Sequence, residues 1–353
     1  MAKFLIYTDN HFSTTSSIVR SNGEEFSTRL ENQIESINWA EQIAVEKGCS
    51  EVIHLGDFFD KPDLTSQELS ALKCIKWNDL PHTFICGNHE MGSNDLRFNS
   101  LNALNKIGTV IDKPTIKSGY GYEILLLPYI LESNRKPLKD YLDEARHEYW
   151  DSKLTTCEYK QSIILSHNDI AGVNYGQYVS KAGFSIKEIE DHCDLFLNGH
   201  LHNRSKVTEI IHNIGSLTGQ NFTEDAYKYS HCAVVLDTEA LSVEYIENPY
   251  ALNFYKIEVN SIAELEEQLK ELKPGKSIGT IKISEQYLKN ARELCSKLFI
   301  EYRILTIHNT NAHNNSEQQS LTKIDHILQF GNSFKEKYGE SDIINEELEK
   351  LRG

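Results

Sequence analysis

The sequence predicts an α/β (α+β) architecture: two packed β-sheets flanked by helices, followed by a small α+β unit and C-terminal helical segments. Three observations carry this expectation. Over the first hundred residues, β-type runs alternate with apolar residues at helical spacing. From Glu123 onward β-type runs dominate. Five of the runs end in residues that ligate metals or move protons: Asp9 and His11, Asp57, Asn88 with His89, His167, and His200 with His202. In open α/β sheets ligands bind at the carboxyl ends of strands, so the third observation bears on function as well as fold.

Taken in order, the first strand, Lys3 to Tyr7, ends in Thr8-Asp9-Asn10-His11. A Ser/Thr-rich loop from Ser13 to Glu25 includes Arg20. A helix from about Ser27 to Lys47 places Leu30, Ile34, Ile37, Ala40 and Ala44 on one face, with Gly48 positioned to stop it. The second strand, Glu51 to Leu55, ends in Gly56-Asp57-Phe58-Phe59-Asp60. Thr65-Ser66-Gln67-Glu68 is a capping box opening a helix with Leu69, Leu72 and Ile75 apolar. The third strand, Thr83 to Ile85, leads into Cys86-Gly87-Asn88-His89-Glu90, and Asp95 to Lys106 reads as a further helix with Leu96, Leu101 and Leu104 apolar. Strands are then expected at 123–127, 161–165, 194–197, 209–214, 231–236 and 242–246, with a charged helix around Leu138–Trp150.

Asn248-Pro249 marks a boundary, which makes residues 1–249 the main domain. The α+β unit, 250–308, has strands at 254–259, 277–283 and 302–307. One helix is capped by Ser261-Ile262-Ala263-Glu264 and another spans about 285–298. Residues 309–320 form an Asn/Gln/Ser-rich linker, and 321–353 hold two short amphipathic segments marked by Ile324, Ile327, Leu328 and Phe334 and by Ile343, Ile344, Leu348 and Leu351.

Composition bounds the function. An apolar content of 39% and a charged content of 25% describe a soluble globular chain. Its most apolar run, Ile124 to Leu131, is short and broken by Pro128, so no membrane span is expected. Lys3 to Tyr7 already reads as a strand, leaving no signal peptide. Seven cysteines without a Cys-x-x-Cys fit a reduced, cytoplasmic protein. The net charge of -16 argues against attraction to nucleic acid by the overall field. That charge is uneven: residues 1–250 hold 22 Lys+Arg against 36 Asp+Glu, and residues 251–353 hold 14 against 16.

Assembled, the strand ends supply two carboxylates, one amide and four imidazoles: Asp9, His11, Asp57, Asn88, His167, His200 and His202. Two divalent cations about 3.5–4 Å apart need roughly this many ligands, one carboxylate being shared. The set suits Mn²⁺, Fe²⁺ or Zn²⁺, and the absence of thiolates argues against structural zinc. His89 is the natural proton donor, with Asp60 or Glu90 to orient its ring. A lone Asp-x-His is mostly surface loop, but five matches in order at strand ends are not. His54 reads as a core residue, and His147, His192, His212 and His231 have no spacing argument. For Arg20, Arg97 and Arg204 a solvated surface role is the commoner reading than phosphate contact. Tyr175 and Tyr178 can stack on a base or pack in the core.

The ordered set Asp9-Asn10-His11, Gly56-Asp57-x-x-Asp60, Gly87-Asn88-His89-Glu90, His167 and Gly199-His200-Leu201-His202 resembles the calcineurin-like metallophosphoesterases over about residues 1–250. That resemblance implies a two-sheet sandwich hydrolysing phosphoesters with two metals. Asp9, His11, Asp57 and His202 would hold one metal, and Asp57, Asn88, His167 and His200 the other. His89 would be the catalytic histidine, paired with Asp60. His167 is followed by Asn168-Asp169 where the family pattern has glycine.

More narrowly, Phe58-Phe59-Asp60-Lys61-Pro62 and Ile214-Gly215-Ser216 look like the SbcD-type nucleases of DNA double-strand-break repair, including the shorter phage versions. This implies a Mn²⁺-dependent DNA exonuclease and endonuclease, with Mg²⁺, Fe²⁺ or Zn²⁺ as other candidate ions. It also implies a DNA-capping role for the unit after Asn248, and C-terminal helices binding an SbcC-type coiled-coil ATPase. Dimerisation would use helices of the catalytic domain, for which Asp95–Lys106 is the candidate. The alternatives are a small-molecule phosphodiesterase or phosphoprotein phosphatase on the same fold, and a catalytically dead scaffold.

Overall fold

The computed structural model describes residues 2–16, 18, 25–151, 161–175 and 178–307. The strands that build the main body are β1 (Lys3–Tyr7), β2 (Glu51–His54), β3 (His82–Ile85), β4 (Thr109–Ile111), β5 (Thr115–Gly119), β6 (Tyr122–Leu127), β7 (Gln161–Ser166), β8 (Leu195–Asn198), β9 (Ser205–Lys206), β10 (Ile211–Asn213), β11 (Cys232–Asp237) and β12 (Ser242–Glu247). One six-stranded sheet runs β12-β11-β1-β2-β3-β4, and the second runs β9-β10-β8-β7-β6-β5. The central strands of each are parallel, while β11, β12, β5 and β9 pair antiparallel at the margins.

Side-chain alternation along the strands explains the layering. Phe4 and Ile6 of β1 join Ile53, Ile124, Leu126, Ile163 and Leu197 in a core between the sheets. Leu5 and Tyr7 point the other way, onto Leu30, Ile37 and Ala40 of helix α1 (Thr28–Glu46). On the far side, Leu125, Leu127, Ile164 and Phe196 pack with Leu138, Tyr141, Leu142 and Ala145 of a helix spanning Leu138–Asp151. The result is the helix–sheet–sheet–helix sandwich expected from the strand pattern.

Local signals account for the element ends. Ser27 caps α1 by accepting from the Leu30 N–H, and Gly48 leaves the helix at φ 64°. Thr65 and Glu68 form the capping box of a helix at Ser66–Ala71. There Leu69 is 45% exposed and lies outside the expected apolar face, while Ile75 is buried. The helix expected over Asp95–Lys106 is not formed. Asp95–Asn99 is a strand paired with Met91–Gly92, and Ser100–Leu104 is a 3₁₀ helix. Leu101 and Leu104 are both buried, so their spacing of three reports the tighter 3₁₀ turn rather than an α-helix.

Residues 253–307 form a further sheet of three parallel strands, Asn253–Glu258, Ser277–Ser284 and Glu301–Ile307. Helices Ile262–Leu269 and Leu288–Leu298 cover it, closing a separate core around Ile257, Ile281, Leu265 and Ala291. By contacts, 1–307 is one compact unit. The linker at 309–320 and the amphipathic segments at 321–353 lie outside the described residues.

Candidate metal centre

Every candidate ligand lies just beyond a strand end, at the shared edge of the two sheets. The parallel pairing of β1 with β2 continues past the strands, since the N–H groups of Asp9 and His11 donate to the carbonyls of Gly56 and Asp57 at 3.1 and 3.0 Å. The sheets are joined there by His167 Nδ1 on the Leu55 carbonyl (2.5 Å) and by the His200 N–H donating to Asp9 Oδ2 (3.1 Å). Four of the ligand-type residues hold left-handed backbone angles, Asp9 at φ 52°, His11 at 47°, Asp57 at 52° and His200 at 71°. Such angles are costly for non-glycine residues and persist only where surroundings enforce them. Gly56, at φ 93°, makes room as well, because a Cβ there would strike the His167 ring.

The candidate ligands converge in two groups, and a third cluster, His11, Asp57 and His89, spans them. Asp9, His11 and His202 form one, with His11 Nε2 and His202 Nε2 3.0 Å apart. Asp57, His167 and His200 form the other, with His167 Nε2 3.0 Å from Asp57 Oδ2. Asn88 Oδ1 lies 3.0 Å from His200 Nδ1 and joins the second group. Asp57 Oδ2 is also 4.0 Å from His11 Nε2, which places this carboxylate between the groups. Two ligands of one cation, each about 2.1 Å from it, stand about 3–3.4 Å apart; the three 3.0 Å pairs match, while Asp9 Oδ1 stands wider, 3.9 Å from both His11 Nε2 and His202 Nε2.

The donors fit cations by a second criterion. Among the described residues, Asp9 Oδ1 and His167 Nε2 are buried without a hydrogen-bond partner. A buried polar atom left unpaired is expensive, and a cation in each group would satisfy one of the two. The set of imidazoles, carboxylates and one amide oxygen, without thiolate, suits Mn²⁺, Fe²⁺ or Zn²⁺.

Three of the four imidazoles also have an outer partner within 3.4 Å, as metal-facing histidines usually do, and His202 has a more distant one. His11 Nδ1 meets Asp60 Oδ1 at 3.1 Å, and His167 Nδ1 meets the Leu55 carbonyl. Asp169 Oδ1 stands 3.4 Å from His200 Nε2, and Glu224 Oε1 stands 3.9 Å from His202 Nδ1. Asn168, in the family's glycine position, is fully buried: it accepts from Ile130 N–H, donates to the Pro128 carbonyl, and shares two hydrogen bonds with Asn198. Of these, the Ile130 and Pro128 bonds use the Asn168 side chain, while the two with Asn198 use its backbone, which a glycine would supply as well.

Electrostatics follow the same geometry. Burial pushes the Asp57 carboxyl up, but the His167, His11 and His89 rings more than offset it and hold it well below the usual range. Burial raises Asp9. The Asp60 hydrogen bond lifts His89 to about 10, so the ring is a proton carrier at neutral pH. His89 Nδ1 contacts the Asp60 backbone carbonyl at 3.0 Å and its carboxylate at 3.5 Å, whereas that carboxylate is closer to His11. Glu90, the other candidate for orienting His89, does something else. Its carboxylate accepts from the N–H groups of Asp57, Phe59 and Gly87, stapling the second loop to the third.

Of the other residues singled out from sequence, His54 is a core residue donating nothing to the centre; its Nδ1 accepts from the Gly56 N–H. Arg97 pairs with Asp95 on the surface, and Arg204 packs over the Tyr245 ring. Arg20 and the side chains of Tyr175 and Tyr178 lie outside the described residues. Sequence motifs did not reveal Arg29, Gln33, Gln220 or Glu224, which crowd behind the centre. One signal was present: Arg29, Gln33 and Ser36 interrupt the buried face of α1 at helical spacing, and all three are buried.

Fold and centre together define a candidate two-cation site at the strand ends of a sheet sandwich. Residues 4–240 match the calcineurin-like phosphoesterase superfamily domain, and the chain belongs to that superfamily. No curated protein matches the chain. Among solved structures, TT1561 of Thermus thermophilus is 12% identical with a TM-score of 0.42, covering 70% of this chain and 98% of its own. A dimetal phosphatase from Danio rerio is 12% identical at a TM-score of 0.39, covering 66% and 91%. A purple acid phosphatase from yellow lupin seeds is 13% identical at 0.35, covering 62% and 41%. With every one of these scores below 0.5, the assignment rests on the 4–240 match.

Proposed function

We propose that the chain is a Mn²⁺-dependent DNA exonuclease and endonuclease subunit, acting as a dimer with an SbcC-type ATPase in DNA end processing. The observation that carries the phosphoester chemistry is the convergence of Asp9, His11 and His202 with Asp57, Asn88, His167 and His200, two of their buried atoms lacking any other partner. The nuclease reading is supported by the motif resemblance and by a folded α/β unit, 253–307, beyond the 4–240 family match. Divalent cations held by these residues supply Lewis acidity toward the phosphoryl oxygens and lower the pKa of water.

The chain's own residues do the rest. Asp57, placed between the two groups, is the shared ligand in this reading. His89 is anchored through Nδ1 on Asp60, which leaves Nε2 for the substrate; its side chain is 40% exposed and reachable. As water adds to phosphorus and the ester P–O bond breaks, the His89 proton passes to the departing oxygen.

A second reading, a small-molecule phosphodiesterase, is favoured by one observation. A groove of about 590 Å³ is lined by Met91, Arg97, Lys113, Lys136 and Tyr129, the last with its ring 5.9 Å from that of His200. Its three cationic side chains are each paired with a carboxylate: Asp95, Glu148 and Glu144. Such a groove adds little to the counterion release that drives DNA affinity, so weak DNA binding by the isolated chain is expected. Digestion of end-labelled duplex DNA with Mn²⁺ or EDTA, beside His89→Ala, is the deciding experiment. Mn²⁺-dependent nucleotide release, reduced by at least roughly 100-fold in the variant, supports the nuclease. Cleavage of an aryl phosphodiester with no release from DNA, even when the ATPase is supplied, favours the second reading.

A further inference from the structure

Asp9 and His11 keep left-handed backbone angles on either side of Asn10, and the carbonyls of this tripeptide are held by three side chains. Gln220 Nε2 donates to the Asp9 carbonyl at 2.8 Å. Gln33 Nε2 donates to the carbonyls of Asn10 and His11, both at 2.6 Å. Arg29 donates to the Asn10 carbonyl at 3.5 Å, to the Gly219 carbonyl at 2.6 Å and to Gln220 Oε1. Arg29 and Gln33 project from α1 one turn apart, and Gln220 comes from the segment following the second sheet.

Arg29 is the unusual member. It is 2% exposed, and its partners among the described residues are two carbonyls and an amide oxygen. Burying a guanidinium with no carboxylate in hydrogen-bond contact is costly, and the nearby Glu224 and Asp60 carboxyls offset only part of that cost. Burial lowers its pKa only to about 10, which leaves it charged at neutral pH. What it does geometrically is fix the amide of Gln220 so that the opposite end of that amide grips Asp9.

We propose that Arg29 and Gln220 are positioning residues for the ligands Asp9 and His11, holding the strained 9–11 turn in the shape that a cation requires. This rests on the reading that Asp9, His11 and His202 hold a cation. The two claims separate in a calorimetric titration of Mn²⁺ into the full chain, with a Co²⁺ absorption spectrum as a second readout.

The informative variant is Gln220→Glu. It keeps the acceptor for Arg29 and the side-chain volume, but removes the donor to Asp9. A carboxylate would by charge alone tighten cation binding, so a loss reports the missing donor. The expected result is two cations in the wild type and one of them weakened about 10–100-fold in Gln220→Glu, with a changed Co²⁺ spectrum and a cooperative thermal melt retained in EDTA. Arg29→Met should show the same selective loss and Arg29→Lys should restore part of it; this pair carries the test if Gln220→Glu does not fold. Wild-type affinity for both cations in Gln220→Glu and Arg29→Met overturns the positioning role. No cation bound by the wild type overturns the underlying reading, and the positioning role with it.

Discussion

Glu224 shows how much chemistry sits one layer behind the centre. Burial pushes its carboxyl up to about 8 from an ordinary 4.5, although Oε1 accepts from the N–H groups of Gln220 and Asn221. Its other oxygen faces His231 Nε2 at 3.6 Å, and His231 Nδ1 is engaged with the Ser216 carbonyl. The folded state thus holds a proton that the unfolded chain releases above pH 4.5. This contribution of Glu224 is full below that pH and is lost as pH rises through about 8, by on the order of 4 kcal/mol. Glu224→Gln removes the ionisation and can donate to His231. Chelator-treated wild type should lose melting temperature from about pH 5 to about pH 8.5, while the variant stays flatter; parallel curves would refute the assignment.

At the scale of elements, the loops after β1 and β2 are as constrained as the strands. Gly56→Ala would combine strain at φ 93° with a Cβ driven into His167. A loss of about 2–4 kcal/mol is expected in urea melts, together with loss of the cation that His167 would bind. These strand-to-loop junctions were legible in the sequence because a continuous apolar run stops abruptly before Asp, Asn or His. Capping boxes were legible for a similar reason, since Thr65 and Glu68 act within a single turn. The 91–104 segment was not legible as what it is. Leu96, Leu101 and Leu104 satisfy helical spacing, but a hairpin takes the first and a 3₁₀ turn takes the other two. The absence of that helix also removes the element assigned to dimerisation. Arg29, Gln33, Gln220 and Glu224 were missed because their roles depend on contacts across up to 211 positions, as between Gln220 and Asp9.

For the whole molecule, the centre is a bolt between two sheets rather than an ornament on one. His200 N–H on Asp9 and His167 on Leu55 cross the sandwich, and cations shared among these groups would cross it again. Stripping divalent ions with EDTA should therefore lower the melting temperature by several degrees. The basis is roughly 2.7 kcal/mol of linkage per site when free cation is about 100-fold above its dissociation constant. An unchanged melting temperature on adding back Mn²⁺ would count against a cation-linked centre. Among the described residues no helix is long and apolar enough to cross a membrane, and six described cysteines are free.

The distance along the chain between the two ends of this bolt has a temporal side. His11 leaves the ribosome 191 positions ahead of its neighbour His202, and the Gln220 that steadies Asp9 emerges later still. A nascent chain halted anywhere before that point carries an acidic, half-built pocket. It acquires its full complement of ligands only once His202 has emerged.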